Sequence, residues 1–266
     1  MGNLEIWQAL IILLAGVWAG TINTVVGSGS LVTFPVLVAM GLNPVNAVVS
    51  NAIGLVAGGV SGAVGYRAEL RTVPATLKRL LPASIVGALV GAWLLLHLPE
   101  SVFGFVSPVL VLLAVLLVIF QPKLAAWARK RAGGEHLDTP DLQPFSAVLV
   151  ALVFLTGIYG GYFTAAQGVI LMGIFGVMLH GSLQQANAIK VMLSLAVNLV
   201  AAVAYLIFAE DRIDWIVAAL IAVGSLFGGW LGAKIGRRLS PVILRGCIVV
   251  LGTVAFIHLV WQLFEG

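Results

Sequence analysis

Acidic residues are scarce in this chain, and their placement matters more than their number. The ten Asp and Glu residues (Glu5, Glu69, Glu100, Glu135, Asp138, Asp141, Glu210, Asp211, Asp214 and Glu265) all fall in short breaks between apolar stretches or at the chain ends. With no carboxylate inside an apolar run, the sequence offers neither a cation site nor a carboxylate proton relay within a bilayer. The single cysteine, Cys247, excludes an internal disulfide and a multi-cysteine metal site. The four histidines, His97, His136, His180 and His258, pair neither with one another nor with a carboxylate at ligand spacing, so neither metal nor cofactor is expected. Gly27-Ser28-Gly29 follows no strand and has no His–Asp pair at its depth, so it is not a nucleophile elbow and no enzyme is expected. A basic region ahead of the first apolar run is also missing, so that run is expected to stay in the mature chain. The net charge of +4 resides in loop Lys and Arg; it reports on topology, not on nucleic acid.

What the chain has in abundance is apolar length. It is 61% hydrophobic and only 9% charged, with a mean hydropathy of +1.12. Such a chain is an all-α, multi-pass integral membrane protein whose surroundings are the lipid bilayer. The runs are continuous rather than alternating, which excludes a barrel. Thirty-one glycines and ten prolines in so apolar a chain imply close helix contacts and interrupted helices. Nothing in the sequence decides between a monomer and a homo-oligomer.

The chain is also a duplication. Slid against itself by 141 residues, it places Gly16, Gly20 and Gly27 on Gly157, Gly161 and Gly168, and Phe34 on Phe175. Asn46-Ala47 falls on Asn187-Ala188, and the Glu69-x-Arg71 loop on Glu210-x-Arg212. Each copy reads as five apolar segments, 7–26, 30–41, 44–66, 76–96 and 102–120, then 145–165, 168–180, 184–208, 213–236 and 242–263. The repeats are accordingly 1–120 and 145–266, joined by a linker, 121–144. Matching loops differ in charge: 67–79 is basic where 209–214 is acidic, and 234–245 is basic where 97–101 is not. The positive-inside rule then puts matching loops on opposite sides, so the repeats are expected to be inverted. Both termini lie outside and the linker is cytoplasmic in this reading. Inverted repeats with broken or short helices meeting at mid-membrane characterise secondary transporters.

Two groups of residues carry the chemistry. Gly27-Ser28-Gly29-Ser30, followed by a short apolar segment, breaks a helix and aims its backbone amides at mid-membrane. The matching break is Thr164-Ala165-Ala166-Gln167-Gly168, so two helix N-termini, natural anion sites, are expected to converge. Asn23 and Asn51 are further polar candidates. The third segment of the second copy carries Asn187, Lys190, Ser194 and Asn198 on one helical face roughly 80° wide. Lys190 is the one charge placed mid-span; a lysine there costs about 2.5–3.5 kcal/mol and is expected to face a polar cavity rather than snorkel. Its counterpart is Val49, so the role is specific to one copy. The expected partner is a small anion.

These residues also carry a family likeness. Val26-Gly27-Ser28-Gly29-Ser30-Leu31-Val32-Thr33-Phe34-Pro35, Gly41-Leu42-Asn43-Pro44 and Ser50-Asn51 resemble the first half of the sulfite exporter TauE/SafE family. The second half is similar through Gly157-Ile158-Tyr159-Gly160-Gly161-Tyr162-Phe163, Gln167-Gly168 and Asn187-Ala188-Ile189-Lys190. Ser28, Ser30 and Thr164 stand where that family commonly has glycine, adding hydroxyls to the break. The resemblance implies a permease in a bacterial-type inner membrane for sulfite, thiosulfate or organosulfonates, moving them outward. The residues by themselves reach an anion permease, with an anion-selective channel as the alternative, but not sulfur.

Overall fold

The computed structural model describes residues 4–131, 146–179, 181–235 and 241–265. They form helices α1 (Ile6–Val25), α2 (Ser30–Ala39), α3 (Pro44–Gly65), α4 (Arg67–Leu70), α5 (Pro74–His97) and α6 (Glu100–Arg131). After these come α7 (Ala147–Phe163), α8 (Gln167–Met178), α9 (Leu183–Phe208), a 3-10 turn at Glu210–Arg212, α10 (Trp215–Ile235) and α11 (Pro241–Glu265). Each of the ten predicted segments is a helix, and among the described residues seven helices are long and apolar enough to cross a membrane. Two matching loops hold a further turn each, α4 and the 3-10 turn, because an aligned Ala-Glu-x-Arg run closes one turn in both. Helix α6 continues to Arg131, so the 121–144 stretch begins as helix. His136, His180, Gly236 and the rest of that stretch lie outside the described residues.

The helix starts follow from local chemistry. The Asn43 side chain accepts from the Val45 amide at 2.9 Å, and Pro44 takes the first helical position of α3. At the start of α9, Ser182 and Gln185 form a reciprocal capping box. The short segments answer a length question that the sequence leaves open. At about 1.5 Å per residue, α2 and α8 reach only about 15 and 18 Å, half of a ~30 Å hydrocarbon layer. Each is a half-helix, and α2 turns back against α1, where a Cβ at Gly29 would stand 2.4 Å from the Ala19 carbonyl oxygen.

Packing repeats with the sequence. α1 lies against α10 while its mate α7 lies against α5, and α3 packs on its own mate α9, as α6 does on α11. Exchanging every helix for its mate maps these main pairs onto themselves. Glycine sets the closeness: a Cβ at Gly228 of α10 would stand 2.0 Å from the Val17 carbonyl oxygen, and one at Gly91 of α5 would stand 2.1 Å from that of Ile158. Small residues are what allow backbones so close. Ser225 then pins α10 to α3, donating to the Gly54 carbonyl at 2.9 Å and accepting the Gly58 amide at 3.1 Å. Its counterpart Ser84 is buried without a partner.

Large apolar side chains cover the outside, including Phe105, Val109, Phe227 and Val250, as lipid contact requires. The loops sort into two ends. Glu100 pairs with Arg212 at 3.2 Å and accepts from the Asn43 amide at 3.3 Å, joining three loops at one end. Gln185 donates to Thr72 at 3.1 Å, joining two others.

Overpacking tests the glycine crossings. Gly228→Ala drives a methyl into the Val17 backbone and is expected to cost about 1–3 kcal/mol, seen as a lowered melting temperature and poorer recovery on size exclusion in detergent. Gly173→Ala, with nothing within 4 Å of the new carbon, is expected to leave both unchanged. Equal behaviour of the two variants would remove glycine closeness as the packing rule.

Candidate functional site

The two breaks meet. At the end of α1 the amides of Val26 and Gly27 both turn back to the Ile22 carbonyl, at 2.7 and 3.0 Å, and Gly27 adopts φ +96°. Only glycine holds that conformation without cost. In the second copy the chain leaves α7 through Thr164 at φ 62° and enters α8 through Ala166 at φ 57°. Left-handed geometry at two residues with Cβ atoms, one of them β-branched, stores on the order of 1–3 kcal/mol each. The exact repeat mates Gly27 and Gly168 then touch: the Gly168 amide donates to the Gly27 carbonyl at 2.9 Å. A Cβ on either glycine would lie 2.5–2.6 Å from the Cα of the other, so the crossing admits no side chain.

Polar side chains surround the crossing. Ser30 at the start of α2 hydrogen-bonds Thr164 across the two breaks at 3.0 Å. Asn51 of α3 donates to the Ser30 hydroxyl at 3.0 Å and accepts from Thr33 at 2.5 Å. All four are buried, and the chain Thr33–Asn51–Ser30–Thr164 fixes α2 to α3 and to the end of α7. Lys190 is fully buried and makes no ion pair among the described residues; it does not snorkel. Its ammonium donates to the Thr24 carbonyl at 2.9 Å. Its Cδ lies 3.1 Å from where a Cβ of Gly27 would stand, so the side chain runs directly along the break.

Several donors at the crossing have nothing to bind. The Ser28 hydroxyl and the Gln167 side-chain amide are buried and unpartnered, and so is Ser194 one turn along α9 from Lys190. The amides of Ser28, Gly29 and Ser30, and those of Ala166 and Gln167, donate to no acceptor among the described residues. They belong to the N-terminal ends of α2 and α8. Unsatisfied buried donors cost about 1–3 kcal/mol each, so a cluster of them around one lysine is expensive unless an acceptor visits. Such a cluster can hold an oxyanion through charge-assisted hydrogen bonds.

Gly27, Ser28, Gly29, Ser30, Asn51, Thr164, Gln167, Gly168 and Lys190 are therefore gathered around the crossing. Four other expected residues make no hydrogen bond to either break. Asn23 is half-buried against Gly29; Asn187 is half-buried with an unpartnered carbonyl oxygen; Ser194 and Asn198 are buried on α9 beyond Lys190. Two participants were missed. Thr33 sits three residues after Ser30, on the same helical face, and that spacing was the available signal. Tyr205 donates to the Gly161 carbonyl at 2.9 Å, a contact between distant helices with no signal in the sequence.

The family model described as sulfite exporter TauE/SafE matches residues 12–259. "Probable membrane transporter protein YfcA" of Escherichia coli is 24% identical over 245 residues, 92% of this chain and 86% of that protein. A "Probable membrane transporter protein" of Haemophilus influenzae is 24% identical over 241 residues, 91% of this chain and 90% of its own length. The "Probable membrane transporter protein ORF9" of a Sinorhizobium species is 24% identical over 262 residues, covering 97% and 95%. No solved structure gives a significant match. A family match across nearly the whole length, with both breaks inside it, leads to one conclusion: this chain belongs to the sulfite exporter TauE/SafE family.

Proposed function

We propose that this membrane transporter is a carrier for small anions, sulfite, thiosulfate or an organosulfonate, moved outward and bound between the two breaks. One observation carries the reading: unpartnered buried donors from both copies surround Gly27 and Gly168, beside a lysine with no carboxylate partner. A tetrahedral oxyanion head supplies the acceptors those donors lack. The sulfur comes from the family and from the family model's name; the anion comes from the residues. That Ser28, Ser30, Asn51, Gln167 and Lys190 are all buried within a few per cent of complete supports a carrier with an occluded site over an open channel. Saturable, trans-stimulated flux in proteoliposomes is the expected behaviour, and flux without trans-stimulation would favour the channel.

Orientation is part of the proposal. The repeats are inverted, both termini and the 209–214 loop lie outside, and 67–79, 121–144 and 234–245 lie in the cytoplasm. The side-chain contacts support the grouping, since Asn43, Glu100 and Arg212 meet at one end and Thr72 and Gln185 at another. On a Cys247→Ser background, Glu210→Cys is expected to react with an impermeant maleimide added to intact cells and His136→Cys to be silent. The opposite pattern would reverse the topology.

The site itself has a clean test in Ser28. Its hydroxyl bonds no group among the described residues, so Ser28→Ala removes a buried unsatisfied group and is expected to leave thermal stability unchanged or slightly raised. Anion affinity is expected to fall about three- to tenfold, up to roughly 1.4 kcal/mol. Lys190→Met removes a Coulomb term of a few kcal/mol at an effective dielectric of about 20, and affinity is expected to fall at least tenfold, with Lys190→Arg partly tolerated. Val49→Leu, at the buried symmetry mate, is the control and is expected to stay within about twofold. Wild-type affinity in both Ser28→Ala and Lys190→Met would remove the crossing as the anion site.

A further inference from the structure

Breaking a helix frees carbonyls as well as amides, and one helix satisfies a freed carbonyl at each break. In an unbroken α1 the Thr24 carbonyl would receive the amide of Ser28; here it receives the Lys190 ammonium at 2.9 Å. In an unbroken α7 the Gly161 carbonyl would receive the amide of Ala165, which instead turns to Phe163 at 2.8 Å; the Tyr205 hydroxyl takes its place at 2.9 Å. Both donors come from α9, fifteen residues and therefore about 22 Å apart along its axis. Both are fully buried. The mates of Lys190 and Tyr205 on α3 are Val49 and Val64, so α3 offers neither hand.

The two hands differ chemically. Tyr205 is neutral and bonds a carbonyl with a hydroxyl, so it lacks the charge–charge attraction that an anion offers an ammonium. Lys190 is a cation bound to a neutral carbonyl, with unpartnered donors beside it and no carboxylate. An oxyanion entering the crossing is the stronger partner for an ammonium, because opposite charges attract in the protein interior through a Coulomb term that a neutral carbonyl lacks. The ammonium then leaves Thr24, and the last turn of α1 loses the contact that ties it to α9. We propose that α9 is a clasp on both breaks, in which Tyr205 is a fixed positioning residue for the Thr164 break. Lys190 is its movable hand, holding the Thr24 carbonyl in the empty protein and releasing it to a bound anion. This rests on the anion reading above, and it adds how binding is passed to α1, which is loosened by substrate, not tightened.

Hydrogen exchange on the purified full-length protein, with sodium sulfite, thiosulfate and methanesulfonate as probes, separates the possibilities. Ligands ordinarily slow exchange where they bind. A bound probe is here expected to speed exchange of the α1 amides in residues 18–25 by at least threefold, because a helix turn without its tertiary tie frays. Lys190→Met is expected to show that fast exchange with no probe present, and Lys190→Arg to behave as the wild type. Tyr205→Phe is expected to speed exchange in residues 157–165 only and to keep the probe-induced change in 18–25. In flux assays it should raise apparent KM at least threefold with kcat unchanged, since Thr164 is no longer held on Ser30. If a probe binds and exchange in 18–25 is unchanged or slower, the movable hand is wrong while the anion site stands; the wild-type comparison alone decides this, whether or not the variants fold. A Tyr205→Phe protein with wild-type KM would overturn the positioning role. If none of the probes binds the wild type, the anion reading falls and the transfer falls with it.

Discussion

The structure turns on one hydrogen bond, from the amide of Gly168 to the carbonyl of Gly27. Hydrocarbon offers no partner for a backbone group, so a helix can be interrupted inside a membrane only where protein re-satisfies what the break exposes. Each break here is closed partly by the other. That requires the two chains to approach to backbone contact, which requires glycine at both positions. It also requires the flanking helices to be brought together first, through the crossings of α1 on α10 and α7 on α5. The Ser30–Thr164 bond, which joins the two breaks, follows from that approach, and the Lys190 contact with Thr24 lies beside it.

A duplicated sequence would be expected to give duplicated roles, yet the two halves are used differently. The first break turns on a glycine at positive φ; the second places that geometry on Thr164 and Ala166, where it is strained. Lys190 and Tyr205 face Val49 and Val64 as mates. Ser225 bridges two backbone groups of α3, while Ser84 bonds nothing. The packing frame is thus shared and the chemistry is not. A frame made of glycine contacts tolerates this, because it depends on the absence of side chains and leaves the remaining positions free to diverge.

The expense is concentrated at the same place. Strained backbone at Thr164 and Ala166, an ammonium in a fully buried position, and orphaned donors at Ser28 and Gln167 all sit within a few residues of the crossing. Elsewhere the fold is conventional: the starts of α3, α7 and α9 are capped, apolar faces meet lipid, and small residues line the contacts. Unpartnered groups also occur elsewhere, at Thr76 and Ser84 for example, but only at the crossing do they coincide with strained backbone and a buried ammonium.

Helices and their order were legible in the residues because membrane helices are read from apolar length alone, a local property. The duplication, the two breaks and the isolation of Lys190 were legible for a similar reason: a constant offset and the position of a charge are properties of the linear chain. The contact of Gly27 with Gly168 was implied by symmetry but not its hydrogen bond. Three things needed the tertiary structure. It selected, from a polar face on α9, Lys190 as the residue that reaches a break, leaving Asn187, Ser194 and Asn198 without a bond to it. It recruited Thr33, and it gave Tyr205 a partner 44 positions away in α7. A helical face fixes the direction in which a side chain points, within about 100° per residue; what stands there to receive it depends on how another helix crosses.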